Sequence, residues 1–340
     1  MPTAGVLVER DSTGKVQDLA DEFVNAEKRM LPFTSAVPKG SAPINAQLEY
    51  PVEKFASPQT EGAGDEADPV VYENPRQDDG LLYARVQTWE RAARVGGHAL
   101  TFMNLAGVTP RNVIAKAVAK KLVELKTDME VTMLGDNESQ AETSAIVPNK
   151  TRGLGKWIQL AAQNHYPVPA MYRPPAASID ATTMANTTDA TITAVAESMY
   201  TQHGDSEMDI DVWCGSGFKK NLGRITFYQK TDAALTSVRR FNQDAGDDVI
   251  LGKVDVLLTD FGTFKIRLDR WINTAGDPTS ALSKLLAYAC PMRHLELRMS
   301  ETPYMLPLAR TGRNQKFLVT GTGALAVLNP LPFGKFAGAS

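Results

Sequence analysis

The sequence predicts a mixed α+β fold, and three observations carry that reading. Residues 109–134 hold one long helical period, two alternating segments flank an acidic run near residue 60, and helices and strands succeed one another after Thr191 with no internal repeat.

Taken in order, residues 11–31 place Val16, Leu19, Phe23, Val24 and Met30 at helical spacing among charges, which predicts a short amphipathic helix. PFTSAVPKGSAP follows. Its prolines and glycine are expected to end that helix and leave an extended arm with no core of its own, anchored by Phe33 and Val37. INAQLEYPVEKF then reads as extended, with Pro51 barring a central strand position. In GLLYARVQTWERAARVGG, Leu82, Ala84, Val86 and Thr88 alternate with Tyr83, Arg85, Gln87 and Trp89. The two segments are expected to pair as a long antiparallel ribbon whose tip is the polar run EKFASPQTEGAGDEADP. A compact monomer seldom keeps so long a polar stretch without secondary structure, so this is expected to be a projecting, functional loop.

The clearest helix is TPRNVIAKAVAKKLVELKTDMEVTML. Thr109 is a plausible N-cap with Pro110 at the first helical position, and Ile114, Val118, Leu122, Leu125, Met129 and Met133 share one face before Gly135 stops it. Such a helix would run about 40 Å and act as a spine. The proline-, alanine- and threonine-rich stretch at 165–190 marks a subdomain boundary. Beyond it come a helix (TITAVAESMYTQHG), a strand (MDIDVWC), a helix (GSGFKKNLGRITF) and a hairpin. In the hairpin, Val254, Val256 and Leu258 before TDFG and Phe264, Ile266 and Leu268 after it are expected on one buried face. LLAYAC, HLELRM and FLVTGTGALAVLNP read as further strands.

Composition excludes several classes. At 340 residues, with 43% hydrophobic and 22% charged residues, the chain is globular, with room for one large or two ordinary domains. A net charge of −3 argues against coating nucleic acid by bulk electrostatics. Cys214 and Cys290 form neither a disulfide framework nor a zinc pattern and are expected to be buried thiols in a reducing setting. No signal peptide or membrane-spanning run is present, so the protein is expected to be made and used in water, without membrane contact.

Each chemical motif has a plainer alternative. VWCGSGFKK suggests an anion loop or nucleophile elbow, but it matches neither GxxxxGK[ST] nor GxSxG, so a glycine turn near the helix cap is preferred. Asp209 and Asp211 point to one side of a strand and could share a cation, although a solvated face is the commoner outcome. His98, His165, His203 and His294 are scattered, and only His294 has a carboxylate, Glu296, at strand spacing. GLGKW and TGTG lack the strand, helix and distant acid of a dinucleotide site and are expected to be tight turns. These readings assign no catalytic, metal or cofactor-binding residue and no cofactor. Ser216 with the Asp209/Asp211 pair keeps one alternative open: a soluble enzyme or ligand-binding protein of two subdomains with a pocket at Ser216.

The order of parts resembles the major capsid proteins of tailed bacteriophages, the Hong Kong 97 fold. The wording is similar to one family of phage major head proteins in DLADEFVNAEKRMLPFTSAVPKG, in Glu61–Gly62, in RGLGKWI at 152–158 and above all in PLARTGRNQKFLVTGTGALAVLNP at 307–330. Arg313 stands where the family pattern carries an acidic residue. The resemblance implies an N-terminal arm (1–45), an extended loop (46–96), a peripheral domain with the spine helix (97–170), an axial domain (171–284) and C-terminal strands returning to the peripheral domain (285–340). It implies a non-enzymatic subunit that self-assembles as pentamers and hexamers into an icosahedral shell in the host cytoplasm. The shell would have scaffolding, portal and cement proteins as possible partners and packaged double-stranded DNA at its inner face. The extended loop would lie across a neighbouring copy, with Phe33, Val37, Lys54, Phe55, Glu61, Val71 and Arg76 as expected inter-subunit residues. Lys54 does not complete the lysine–asparagine constellation of relatives that cross-link.

Overall fold

The computed structural model describes residues 27, 29–58, 60, 74, 76, 78–102, 113–144, 146–181, 188–204, 208–231, 235–239, 254–274 and 276–337. In chain order they form α1 (Pro32–Ala36), β1 (Gln47–Val52), β2 (Gly80–Arg85), β3 (Gln87–Val95), α2 (Gly97–Phe102), α3 (Val113–Met133) and α4 (Leu154–Trp157). Next come β4 (Ile179–Asp180), α5 (Asp189–His203), β5 (Met208–Cys214), α6 (Ser216–Phe227), β6 (Tyr228–Thr231), β7 (Leu235–Arg239), β8 (Val256–Thr259) and β9 (Gly262–Leu268). The chain closes with α7 (Ala281–Leu285), β10 (Ala287–Cys290), β11 (Leu295–Thr311), β12 (Asn314–Val327) and β13 (Gly334–Phe336).

The spine α3 has 21 residues, about 31 Å at 1.5 Å per residue. Of its expected apolar face, Leu125, Met129 and Met133 are buried, while Ile114, Val118 and Leu122 are half-buried at the same core's margin. Thr109 and Pro110 lie outside the described residues. The spine packs on the antiparallel sheet β11-β12-β3, where Arg91 clasps Asp128 with 2.5 and 2.6 Å bonds and the Trp89 indole N–H donates to Thr132 at 3.2 Å. The alternation at 82–89 breaks at Val86. Leu82, Ala84 and Val86 point inward, and then Trp89 does, because β2 pairs with β1 whereas β3 has crossed to β12.

A second, six-stranded sheet runs β4-β13-β10-β5-β9-β8 and separates two hydrophobic cores. The period of two makes single strands serve both. In β5, Ile210, Val212 and Cys214 join the core under α5 and α6, while Trp213 faces the spine's core; in β10, Ala287 and Ala289 face one way and Tyr288 and Cys290 the other. Both cysteines are free and buried, and burial pushes the Cys214 thiol up to about 12. The helix α5 starts at a capping box in which Thr188 and Thr191 each accept from the other's backbone N–H, and it ends on Gly204 in the left-handed region. Thr188→Ala is therefore expected to cost about 1 kcal/mol in chemical unfolding.

Several expectations change. The helix at 11–31 lies almost wholly outside the described residues, and the described Arg29–Leu31 are not helical. Pro32 does not end a helix but begins α1, whose Phe33 is fully buried and whose neighbour Val37 is 4% exposed. That segment is part of the core rather than an arm without one. In the β8–β9 hairpin, Val256 and Leu258 are exposed, and Leu257 is the residue opposite Phe264. Val254 and Leu257 both reach the core three residues apart, so alternation slips by one at Asp255. Leu268, also expected inward, is half-exposed. TGTG is not a turn. It sits inside β12, where a Cβ on Gly323 would meet the Met299 sulfur at 2.4 Å and one on Gly321 would crowd Pro303, opposite the register shifts of β11. The strands β10 and β13, placed beyond the expected border at 284, lie in the six-stranded sheet.

Candidate assembly surfaces

The ribbon β1–β2 pairs Gln47 with Arg85 through to Val52 with Gly80, so the connection from 53 to 79 leaves and re-enters the fold at that one end. Its base is fastened to the body. Leu48, Leu82 and Ala84 are buried, the Tyr50 hydroxyl donates to the Val327 carbonyl at 2.7 Å, and the Tyr172 hydroxyl donates to the carbonyls of Val52 at 3.2 Å and of Asp78. Burial raises the Tyr50 phenol well above its ordinary value, so this donor stays protonated. Beyond the base the chain turns outward, with Lys54 exposed and Phe55 92% exposed. Arg76 is exposed on the returning limb, and its 2.7 Å bond to Asp79 raises its pKa. Glu61 and Val71 lie outside the described residues.

Of the seven residues expected at contacts between copies, the structure thus leaves Lys54, Phe55 and Arg76 on the surface. Phe33 and Val37 are corrected, being buried within their own chain. Phe33 meets the Trp213 ring edge-on at 5.3 Å, and the backbone N–H groups of Phe33 and Thr34 each donate to Glu130 at 2.8 Å. A 0%-exposed side chain has no surface left to offer a neighbour.

A second exposed surface carries no contact expectation from the sequence. The hairpin β11–β12 turns at Gly312, and along its outer strand Tyr304, Met305, Leu306 and Leu308 are each roughly 40% exposed. Among the described residues, β11 bonds beyond Leu297 only to β12, which leaves one edge open. From 304 to 316 the sequence carries three bases, Arg310, Arg313 and Lys316, and no acid; from 49 to 79 it carries nine acids and two bases. The signal that could have found this surface was the run YMLPL, whose neighbouring apolar residues fit neither a half-buried strand nor an amphipathic helix.

The chemical candidates resolve into structure. Asp209 and Asp211 are ion-paired across to β9, with Lys265 at 2.6 Å and Arg267 at 2.7 Å, so they do not share a cation. Glu296 pairs with Arg298 at 2.8 Å. Among the described residues no group of three histidine, cysteine, aspartate or glutamate side chains could hold a metal. Ser216 borders a cavity of about 550 Å³ together with Met30, Leu268, Asp269, Trp271 and Lys284, and no histidine or cysteine lines it. RGLGKWI is a core joint: the Gly153 and Gly155 N–H groups donate to the Asn137 and Gly135 carbonyls at 3.0 and 3.1 Å, and a Cβ on Gly153 would lie 2.3 Å from the latter oxygen. Arg152, 1% exposed, ties this joint to Glu138 at 3.0 Å and to the His165 and Tyr166 carbonyls while lying over the Trp157 ring.

Comparisons with known proteins point the same way as the order of elements. Three solved phage structures, two of them capsids, superpose along nearly the whole chain. They are the capsid of Myoviridae phage XM1 (TM-score 0.57, 12% identity, 99% of this chain and 100% of that one), the cyanophage Pam1 capsid (0.58, 12%, 100% and 100%) and Mycobacterium phage Bobi (0.56, 8%, 96% and 96%). At such identities the likeness concerns fold, and it is the Hong Kong 97-type α+β fold. No curated protein sequence matches. A profile of the SU10 major capsid protein family matches residues 6–340, and the chain belongs to that family as a subunit of the phage head shell.

Proposed function

We propose that this subunit builds its shell by seating the acidic ribbon of one copy on the basic, apolar hairpin of the next. The observation that carries this reading is that two segments of one chain combine opposite charge with exposed apolar side chains, Phe55 on one and Tyr304, Met305, Leu306 and Leu308 on the other. A contact between two different patches of identical subunits is head-to-tail, and such contacts close into rings when the rotation allows. Pentamers and hexamers are rings of that kind. An open β11 edge and exposed Tyr304, Met305 and Leu306 offer strand addition and apolar burial, while Arg310, Arg313 and Lys316 attract the acidic run before contact. Each contact can be weak because closure multiplies it.

On this reading the core around α3 and the β11-β12-β3 sheet is the peripheral domain. The core under α5 and α6 is the axial domain, to which β10 and β13 return. The subunit performs no catalysis and assembles in the host cytoplasm. It meets packaged DNA only through non-specific contacts, since a net charge of −3 gives no bulk attraction. Arg310→Glu with Arg313→Glu and Lys316→Glu is expected to abolish shells seen by electron microscopy and sedimentation while leaving the melting temperature unchanged. Reversing Asp65, Glu66 and Asp68 to lysine in the same chain should restore part of the assembly. Normal shells from the hairpin triple variant would sink the docking assignment.

A further inference from the structure

The segment Met30–Val37 is held by an unusual arrangement. Glu130, 0% exposed on α3, gives both carboxylate oxygens to backbone N–H groups, those of Phe33 and Thr34, at 2.8 Å each. A second carboxyl, Asp269, 1% exposed, lies within hydrogen-bonding reach of Glu130. Its Oδ1 accepts from the Trp271 N–H at 2.8 Å, its Oδ2 accepts from no donor, and its own backbone N–H donates to the Cys214 carbonyl at 3.0 Å. The Trp271 indole N–H in turn donates to the Met30 carbonyl at 3.0 Å, with the Arg29 and Arg270 guanidiniums over its ring and Arg270 bonded to Glu27. The cavity of about 550 Å³ runs along this seam between the segment and the 268–284 region.

We propose that Glu130 and Asp269 form a one-proton latch that holds the segment 30–37 in the core, and that losing the proton loosens it. Two neighbouring buried carboxyls cannot both ionise without cost, and the orphan oxygen of Asp269 is satisfied only when the pair keeps a proton between them. Both Glu130 oxygens already accept backbone N–H bonds, so the free place for the proton is the Asp269 Oδ2, which has no donor. Asp269 carries the proton: burial and the Glu130 charge push it up to about 8.

The other charged groups at the seam do not replace that proton. Arg29, Arg270 and Glu27 sit at the outer side, where Arg270 is already paired; Lys284 lines the cavity; Lys219 is bonded to Asp255 at 2.8 Å; and the Cys214 thiol is too weak an acid to ionise below pH 10. The docked state raises the Asp269 pKa, so docking takes up a proton. Docking is therefore firmest at acidic pH, weakens as pH rises from about 4 to about 8, and loses nothing more above that.

Hydrogen exchange read by mass spectrometry on the full chain, corrected for intrinsic rates, tests this through the Phe33 and Thr34 amides. In the wild type their protection is expected to fall about tenfold or more between pH 6 and pH 8.5. Asp269→Asn, whose amide can donate permanently to Glu130, should keep protection level across that range, and Glu130→Gln should lower protection at both pH values and make the slope shallower, burial of Asp269 remaining. A contact that was merely structural would give lower protection with the slope unchanged. Level protection in the wild type, or an equal fall in either variant, would overturn the latch, and neither outcome bears on how copies dock in the shell.

Discussion

A chain lacking residues 54–72 is expected to fold as the wild type does and to close no shells. The deleted residues lie wholly beyond the last ribbon pair, Val52 with Gly80, so Leu48, Leu82 and Ala84 and the Tyr50 and Tyr172 hydroxyl bonds all remain. Shortening the connection from 27 residues to 8 changes its closure entropy by only about 1 kcal/mol, in the favourable direction. The deletion removes four of the nine acids that the docking uses, Glu61, Asp65, Glu66 and Asp68, together with the apolar Phe55 and Val71. Scanning fluorimetry should show a melting temperature at or slightly above that of the wild type. Electron microscopy of the same sample should show free subunits or small oligomers. Intact shells from this variant would mean that the ribbon tip is dispensable and that the shell is closed elsewhere.

The second large effect is on stability and comes from a residue expected to serve assembly. Phe33→Ala should cost about 3–5 kcal/mol in urea unfolding, because it removes a fully buried ring and leaves a cavity against Trp213. Phe55→Ala, at 92% exposure, should change stability by less than about 0.5 kcal/mol. The pair of variants separates a core role from a contact role. If Phe33→Ala melted like the wild type and failed only in shell formation, its place would be between copies after all.

The sequence by itself determined the elements whose cause is local. The apolar row of α3, the helical segment from Thr191, the alternation in MDIDVWC and the ribbon flanks around the acidic run all depend on residues within a few positions of one another. The family resemblance, carried by short motifs in order, reached the shell subunit as well. What tertiary structure alone decided is which surface each element keeps. Phe33 and Val37 looked like anchors for a neighbour because nothing near them in sequence could cover them; their partners, Glu130 and Trp213, are 97 and 180 positions away. Glycines read as turns in TGTG are strand residues because Met299 and Pro303 press on them from the adjacent strand. The β8 row turned its apolar side outward after a one-residue slip, which period-two patterning cannot foresee. The Glu130–Asp269 pair was invisible for the same reason: two acids separated by 139 residues share a proton only once folding has taken both out of water.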